Sequence, residues 1–246
     1  MANWKLLLIN GKTNLINLDL EIIDIPNFGR FPSESLLNQK HNSDFDFLGK
    51  NCRLIDYKLI DIHSNLKRGP QIISPKDIAW IVYKSGLQPG DLVVEAGSGS
   101  AALTVALAQS VAPEGQVITF ESNLKHIKIA KSNIEMSPWN DLVHIQKEEL
   151  TSKSDFIESS AIVFDLPNPQ DLVKWSWKSL KIGGFLICYL PTVNQVENLL
   201  SKLDSWSDVE INETMQRAWR PNLSALRPES MMLGHTGFIV SARRTR

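Results

Sequence analysis

Two cysteines in 246 residues, Cys52 and Cys188, are too few for a disulfide framework. Neither belongs to a CxxC pair and no HxxxH spacing accompanies them, so no metal site is expected. No apolar run approaches the roughly 20 residues of a membrane-spanning helix. The opening MANWKLLLIN holds too short an apolar stretch for a signal peptide. Internal repeats and low-complexity tracts are also missing, and an apolar fraction of 43% is ordinary for a folded protein. The chain reads as soluble and cytoplasmic, with no membrane partner.

A large net charge is lacking too: the formal value is −1, which by itself neither favours nor excludes nucleic acid. Its distribution is uneven. Residues 215–246 carry six arginines (Arg217, Arg220, Arg227, Arg243, Arg244, Arg246) against the single acid Glu229. A basic C-terminal segment on an acidic body suits contact with phosphates.

What is present divides in two. Residues 1–66 read as a small β-rich domain: KLLLIN and TNLINLDL flank Asn10-Gly11, a favoured hairpin dipeptide. Short apolar runs follow (LEIIDI, CRLIDYKLIDIHS), broken by Pro26, Gly29 and Pro32, with no long helical period. Residues 67–246 change pattern. Ser74-Pro75-Lys76-Asp77 has the form of a helix start, with Ser as N-cap and Pro at the first helical position. Strand-like runs (LVVEAG, QVITFE, LVHIQKEE, AIVFDLP, GGFLICYLP) then alternate with helical ones (ALTVALAQSVA, LKHIKIAKSNIEM, WSWKSL, VNQVENLLSKL). That alternation predicts βαβ units in a mostly parallel sheet covered on both faces. The last two strand-like segments, VEINETMQRAWR and GHTGFIVSARR, have no helix between them and predict an antiparallel close.

VVEAGSGSAAL, residues 93–103, is the strongest cofactor signal. Gly97 and Gly99 permit a tight turn and close backbone approach, and the helix that starts there offers free N–H groups. The second strand ends at Glu121, 22 residues past Gly99, where a carboxylate can accept both hydroxyls of a ribose. Glu148 and Glu149 end the third strand, where an acid can receive an adenine amino group. NAD and S-adenosyl-L-methionine both fit such a pattern, and GSGSAA satisfies the permissive G-x-G-x-x-A form. Three features favour S-adenosylmethionine. Glu95, two residues before Gly97, is expected to bring into the pocket an acid that would repel a pyrophosphate. No length remains for a second substrate domain. AIVFDLPNP, finally, has no role in hydride transfer.

That stretch runs three apolar residues of strand type straight into Asp165, with Pro167 and Pro169 stiffening the backbone beyond it. In an open α/β sheet, ligands bind beyond the carboxyl ends of the strands near the switch in strand order. Asp165 is thereby placed facing the methyl donor. A carboxylate there accepts a hydrogen bond from an amino group adjacent to a ring nitrogen, directs that nitrogen, and stabilises the charge that alkylation creates.

RGPQIISPKD (68–77), VVEAGSGSAALT (93–104), FESN (120–123), FDLPNP (164–169) and GHTGF (234–238) stand in the order and spacing of a known family. The chain resembles the tRNA (adenine-N1)-methyltransferases, which modify N1 of adenine in the tRNA T-loop, over essentially its whole length. The resemblance implies a Rossmann-like class I methyltransferase domain, with a seven-stranded, mostly parallel sheet and an antiparallel last strand, after a small β-rich domain that contacts tRNA. It implies S-adenosylmethionine as cofactor, tRNA as partner, and a homotetramer. By correspondence, Asp165 is the catalytic aspartate, Gly97, Gly99, Ser100, Ala101, Ala102 and Leu103 form the methionine-side loop, and Glu121 is the ribose carboxylate. Glu149 is the acid near the adenine, and His126 falls where the family often has arginine.

Three positions depart from the family. Ala101 replaces a glycine, which predicts a negative φ there. Glu149 replaces a more usual aspartate, and Ser74 stands where relatives carry Tyr or His. Candidate aromatic neighbours for an extruded base are Tyr83, Tyr189, Trp219 and Phe238. His235 in GHTGF reads as a turn histidine bonded to backbone. Arg217, Arg220, Arg227, Lys67, Arg68 and Lys76 are candidates for phosphates. The alternatives are a methyltransferase acting on another nucleobase or a small molecule, and a non-catalytic tRNA-binding subunit. The second would be signalled by a broken glycine loop or a lost Asp165, and both are intact.

Overall fold

The structure, a computed structural model, describes residues 3–246. Its N-terminal part holds β1 (Trp4–Ile9), β2 (Lys12–Asn17), β3 (Ile22–Ile25), β4 (Gly29–Pro32), the single-turn α1 (Glu34–Leu37), β5 (Asp44–Phe47) and β6 (Lys50–Ile55). An antiparallel sheet runs in the order β2-β1-β6-β5, with β3 and β4 as a separate hairpin. Asn10 and Gly11 form the two-residue turn between β1 and β2, both at positive φ (48° and 75°), as the twist of the flanking strands requires. Leu7, Ile9, Ile16, Leu18, Ile23, Ile25 and Leu54 fill a core of its own.

The run CRLIDYKLIDIHS, expected as an apolar run within the β-rich domain, divides. Its first part is in β6, while Leu59–Ser64 is the helix α2. Ile60 is exposed and Ile62 buried, and Ile62 joins the larger core beyond, so tertiary burial decides a segment whose local pattern is ambiguous.

The rest of the chain contains α3 (Pro75–Ser85), β7 (Leu92–Ala96), α4 (Ala102–Val111), β8 (Gln116–Phe120), α5 (Leu124–Ile134), β9 (Val143–Gln146), β10 (Ser159–Phe164), α6 (Val173–Ser179), β11 (Leu180–Leu190), α7 (Val193–Leu200), β12 (Ser207–Asn212), β13 (Trp219–Arg220), β14 (Arg227–Pro228) and β15 (Phe238–Arg243). Seven strands form one sheet in the order β12-β15-β11-β10-β7-β8-β9. β15 runs antiparallel to both neighbours, and the remaining pairs are parallel. Successive strand residues serve opposite faces. Val93, Ala161 and Val163 pack with α3, α4 and α5, while Val94, Ala96, Ile162 and Phe164 pack with α6 and α7. β12 and β15 do close the sheet antiparallel, but an arm intervenes in which β13 pairs with β14.

The start of α3 is built as its sequence suggests, with Ser74 extended at the N-cap, Pro75 at the first helical position, and left-handed Gly86 ending the helix. The Ser74 hydroxyl does not cap the backbone. It donates to Asp77 Oδ2 at 2.8 Å. Asp77 is fully buried and also accepts from Lys76 Nζ (2.9 Å), Thr236 Oγ1 (2.7 Å) and Thr214 Oγ1. Burial pushes its carboxyl up, but the bonds from Thr214, Lys76, Thr236 and Ser74 outweigh that and hold it below the usual carboxylate range. Lys76 also reaches the Thr214 carbonyl (2.8 Å) and Thr236 Oγ1 (2.6 Å), so it is committed internally and not free for a phosphate. The network pins α3 to the segments flanking the arm.

Replacing Asp77 by Ala leaves the Lys76 ammonium buried without a counter-charge. The expected loss is about 3–5 kcal/mol, measurable as a lower denaturant midpoint at unchanged slope. A loss under ~1 kcal/mol would show that Lys76 reaches solvent instead.

Candidate active site

β7 and β10 are paired with Ala96 opposite Phe164, so the residues that follow them, Gly97 and Asp165, leave the sheet side by side. The Asp165 N–H donates to the Ala96 carbonyl at 2.9 Å, and the Gly97 N–H donates to the Phe120 carbonyl of β8 at 2.9 Å. Gly97 has φ +92°, and a Cβ on it would lie 2.2 Å from the Asp165 carbonyl oxygen. Glycine at 97 is thus dictated by the close crossing of two loops. Gly99 (φ +52°) is covered by Pro70, whose Cγ would sit 3.3 Å from an added Cβ.

Glu121 follows β8 and reaches back to this turn. Its Oε2 accepts the Gly99 N–H (3.2 Å) and its Oε1 accepts the Asn123 N–H (2.9 Å). Asn123 caps α5 by accepting from the Lys125 N–H at 2.9 Å. His126, in the first turn of α5, brings Nδ1 to 3.6 Å from Glu121 Oε2. Ser100, Ala101, Ala102 and Leu103 are buried where the loop enters α4. Glu149 lies apart from this group: it is exposed and borders a cleft with Leu150, Pro167 and Asn168, beyond the Asp165 turn.

Two expectations are overturned here. Ala101 has φ +64°, not a negative value. The turn itself imposes this: the Ala101 N–H donates to the Ser98 carbonyl, and the Ser100 carbonyl is held at 2.8 Å by Asn133 Nδ2. Glu95 does not enter the pocket. It is 1% exposed beneath the loop, and its Oε2 accepts from Thr104 Oγ1 and Thr119 Oγ1, each at 2.6 Å. Strand parity turns it toward the helix-packed interior.

Of the four candidate aromatics, Tyr189 alone borders the cavity that contains Asp165. That cavity, about 110 Å³, is also lined by Gln71, Ile72, Pro191 and Thr236. The Tyr189 hydroxyl donates to the Thr236 carbonyl at 2.7 Å, and burial pushes its phenol up to about 12. Tyr83 and Trp219 are exposed elsewhere, and the Phe238 ring packs 4.8 Å from His235. His235 contacts Glu213 Oε1 (2.6 Å) and the Pro191 carbonyl (3.1 Å). The sequence reading missed Asn133. Its signal is an amide on the buried face of α5, which otherwise shows Ile127, Ala130 and Ile134.

Asp165 and Glu95 carry carboxyls displaced upward, to about 6 and about 7, chiefly by burial. The Glu121 charge adds to both, and the Asp165 charge adds to Glu95. Among the described residues, no lysine or arginine forms a salt bridge with any of the three. Such a site favours a cationic ligand and repels a pyrophosphate. Among the described residues the Ser98 hydroxyl, buried in the same loop, has no hydrogen-bond partner. The glycine turn, the strand-end Glu121 and the unbalanced negative charge fit S-adenosylmethionine.

A family model described as "tRNA methyltransferase complex GCD14 subunit" matches residues 62–237. TrmI of Methanocaldococcus jannaschii, a tRNA (adenine(57)-N(1)/adenine(58)-N(1))-methyltransferase, is 30% identical over 223 residues, 79% of each chain. Among solved structures, a SAM-dependent O-methyltransferase from Thermotoga maritima superposes with a TM-score of 0.85 at 26% identity, over 100% of this chain and 94% of that one. The tRNA (m1A58) methyltransferase TrmI from Aquifex aeolicus shares the fold, with a TM-score of 0.78 at 24% identity over 100% and 98%.

Because the folded Asp165 carboxyl titrates above its ordinary value, its contribution to stability is full below about pH 4 and is lost as pH rises through about 6. Asp165→Asn removes that loss. The variant is expected to melt a few degrees above the parent at pH 8, with the difference vanishing near pH 4. Equal melting temperatures at pH 8 would mean that Asp165 is not desolvated.

Proposed function

The chain belongs to the family of the tRNA methyltransferase complex GCD14 subunit, and from that premise we propose that it methylates N1 of an adenine in the T-loop of tRNA. The observation that carries the reading is Asp165, held beside the Gly97 turn in a small cavity within a cluster of carboxylates that, among the described residues, no lysine or arginine pairs with. S-adenosylmethionine supplies an electrophilic methyl group on a sulfonium centre. Gly97, Gly99 and the segment Ser100 to Leu103 hold its methionine side, Glu121 accepts the ribose hydroxyls with His126 beside it, and Glu149 takes the adenine amino group.

Asp165 is the catalytic residue. Its carboxylate accepts a hydrogen bond from the exocyclic amino group of the target adenine, which raises electron density at N1 and aims its lone pair. As N1 is alkylated the ring becomes cationic, and the adjacent carboxylate stabilises that charge without leaving its place. The rigid turn through Pro167 and Pro169 keeps the carboxylate from following the base. N1 lies on the Watson–Crick edge, so the adenine must leave its stack to reach the cavity beside Tyr189.

Arg217 and Arg227, on the exposed arm and in no ion pair among the described residues, serve as phosphate contacts, together with Lys67, Arg68 and the domain of residues 1–66. Arg220 is already paired with Glu229. The working form is a cytoplasmic homotetramer, and the apolar arm supports association, with Leu223 99% and Met231 88% exposed.

Incubation with an unmodified tRNA transcript and S-adenosylmethionine is expected to yield 1-methyladenosine on nucleoside mass analysis. Transfer to another base or none would overturn the reading. With tRNA and cofactor both subsaturating, so that the free enzyme sets the profile, the transfer rate should fall as pH drops through about 6, where Asp165 takes up a proton, and level off above. Asp165→Ala should cut that rate by orders of magnitude while leaving cofactor affinity nearly intact. Glu121→Ala should instead weaken cofactor binding about tenfold or more, and the reverse pattern would exchange their roles.

A further inference from the structure

We propose that Asn133 is a positioning residue for the methyl donor: its buried amide ties the segment 67–70 to the glycine loop and sets the peptide that carries Ala101. The inference rests on the donor site assigned above.

Asn133 is 0% exposed and uses its whole amide. Oδ1 accepts the Lys67 N–H (2.8 Å) and Nδ2 donates to the Lys67 carbonyl (3.0 Å), so the side chain pairs with that residue as a neighbouring strand would. The second Nδ2 hydrogen goes to the Ser100 carbonyl at 2.8 Å. One side chain thereby holds two backbone segments more than 30 positions apart. The segment it grips continues over the loop: Gly69 lies against Ile129 of α5, so closely that a Cβ would be 2.3 Å from its Cδ1, and Pro70 covers Gly99.

The bond to Ser100 bears on a strained position. Ala101 sits at φ +64°, ψ 21°, a conformation that costs an alanine but not a glycine. Relaxing Ala101 to negative φ rotates the Ser100–Ala101 peptide and swings the Ser100 carbonyl away from Asn133. A left-handed alanine persists only where its surroundings over-determine it. Here those surroundings are the Asn133 bond and the Ala101 N–H bond to Ser98. Asn133 thus maintains the loop shape at Gly99 and Ser100 without touching the ligand.

The test is calorimetric titration of S-adenosylhomocysteine into the parent, Asn133→Ala, the isosteric Asn133→Asp, and the double variant Asn133→Ala/Ala101→Gly, each with a thermal melt. The parent should bind. Asn133→Ala should bind about tenfold more weakly, and Asn133→Asp at least as weakly, since a carboxylate would face two carbonyl oxygens. Ala101→Gly added to Asn133→Ala should restore most of the affinity, because glycine holds the left-handed turn without help. Because Ala101→Gly also relieves strain in the fold, the titrations are run at a temperature where the melts show every variant fully folded, and Ala101→Gly alone is included, so that the rescue is read as affinity regained beyond that single variant's own gain. If Asn133→Ala does not fold, Asn133→Asp and its Ala101→Gly double variant carry the comparison. Parent-like affinity in the folded single variants, or no rescue by Ala101→Gly, overturns the role of Asn133. Absence of binding by the parent overturns the donor site itself and the inference with it.

Discussion

The site depends on one steric constraint: the Asp165 carbonyl occupies the space that a Cβ on Gly97 would need. Because β7 and β10 are adjacent, parallel and in register at Ala96 and Phe164, their following residues must cross at their closest approach. Any side chain at 97 would push the Asp165 turn outward and separate the acid from the glycine loop. The same contact aligns the glycine loop with Asp165 through backbone alone, and the stiff turn beyond Asp165 transmits little slack to it.

Around this crossing the charges are arranged unequally. Asp77 and Lys76, buried a short distance away, satisfy one another and three hydroxyls, and their network braces α3 against the arm segments. Among the described residues, Asp165, Glu95 and Glu121 have no such balance. Burial and mutual repulsion displace Asp165 and Glu95 upward, so the folded protein bears a destabilising cluster of acids at neutral pH. A sulfonium and a ring that becomes cationic on alkylation are the species such a cluster favours. Stability is given up where these carboxylates gather, while the neighbouring network supplies rigidity.

Much of the architecture was legible beforehand. The alternation from LVVEAG to GGFLICYLP placed the strands and helices of the parallel sheet, and Asn10-Gly11 placed the first hairpin, because both signals are local. CRLIDYKLIDIHS was not legible, since α2 exists to bury Ile62 in a core assembled largely from residues beyond 70. Ala101 was misjudged for a related reason. Local propensity asks an alanine for negative φ, but hydrogen bonds from Asn133 and to Ser98 reverse the preference. Glu95 was placed in the pocket from its nearness to Gly97, whereas strand parity sends it beneath the loop to Thr104 and Thr119.

The sequence by itself determined the alternating strands and helices of the parallel sheet and the residue types that end them, because periodicity and turn chemistry are properties of neighbours along the chain. Tertiary structure alone decided how those ends meet: the crossing at Gly97, the left-handed Ala101, the unbalanced carboxylates, and the choice of Tyr189 over three other aromatics beside Asp165. Each of these follows from distance and burial between residues far apart in the chain, which no local pattern encodes.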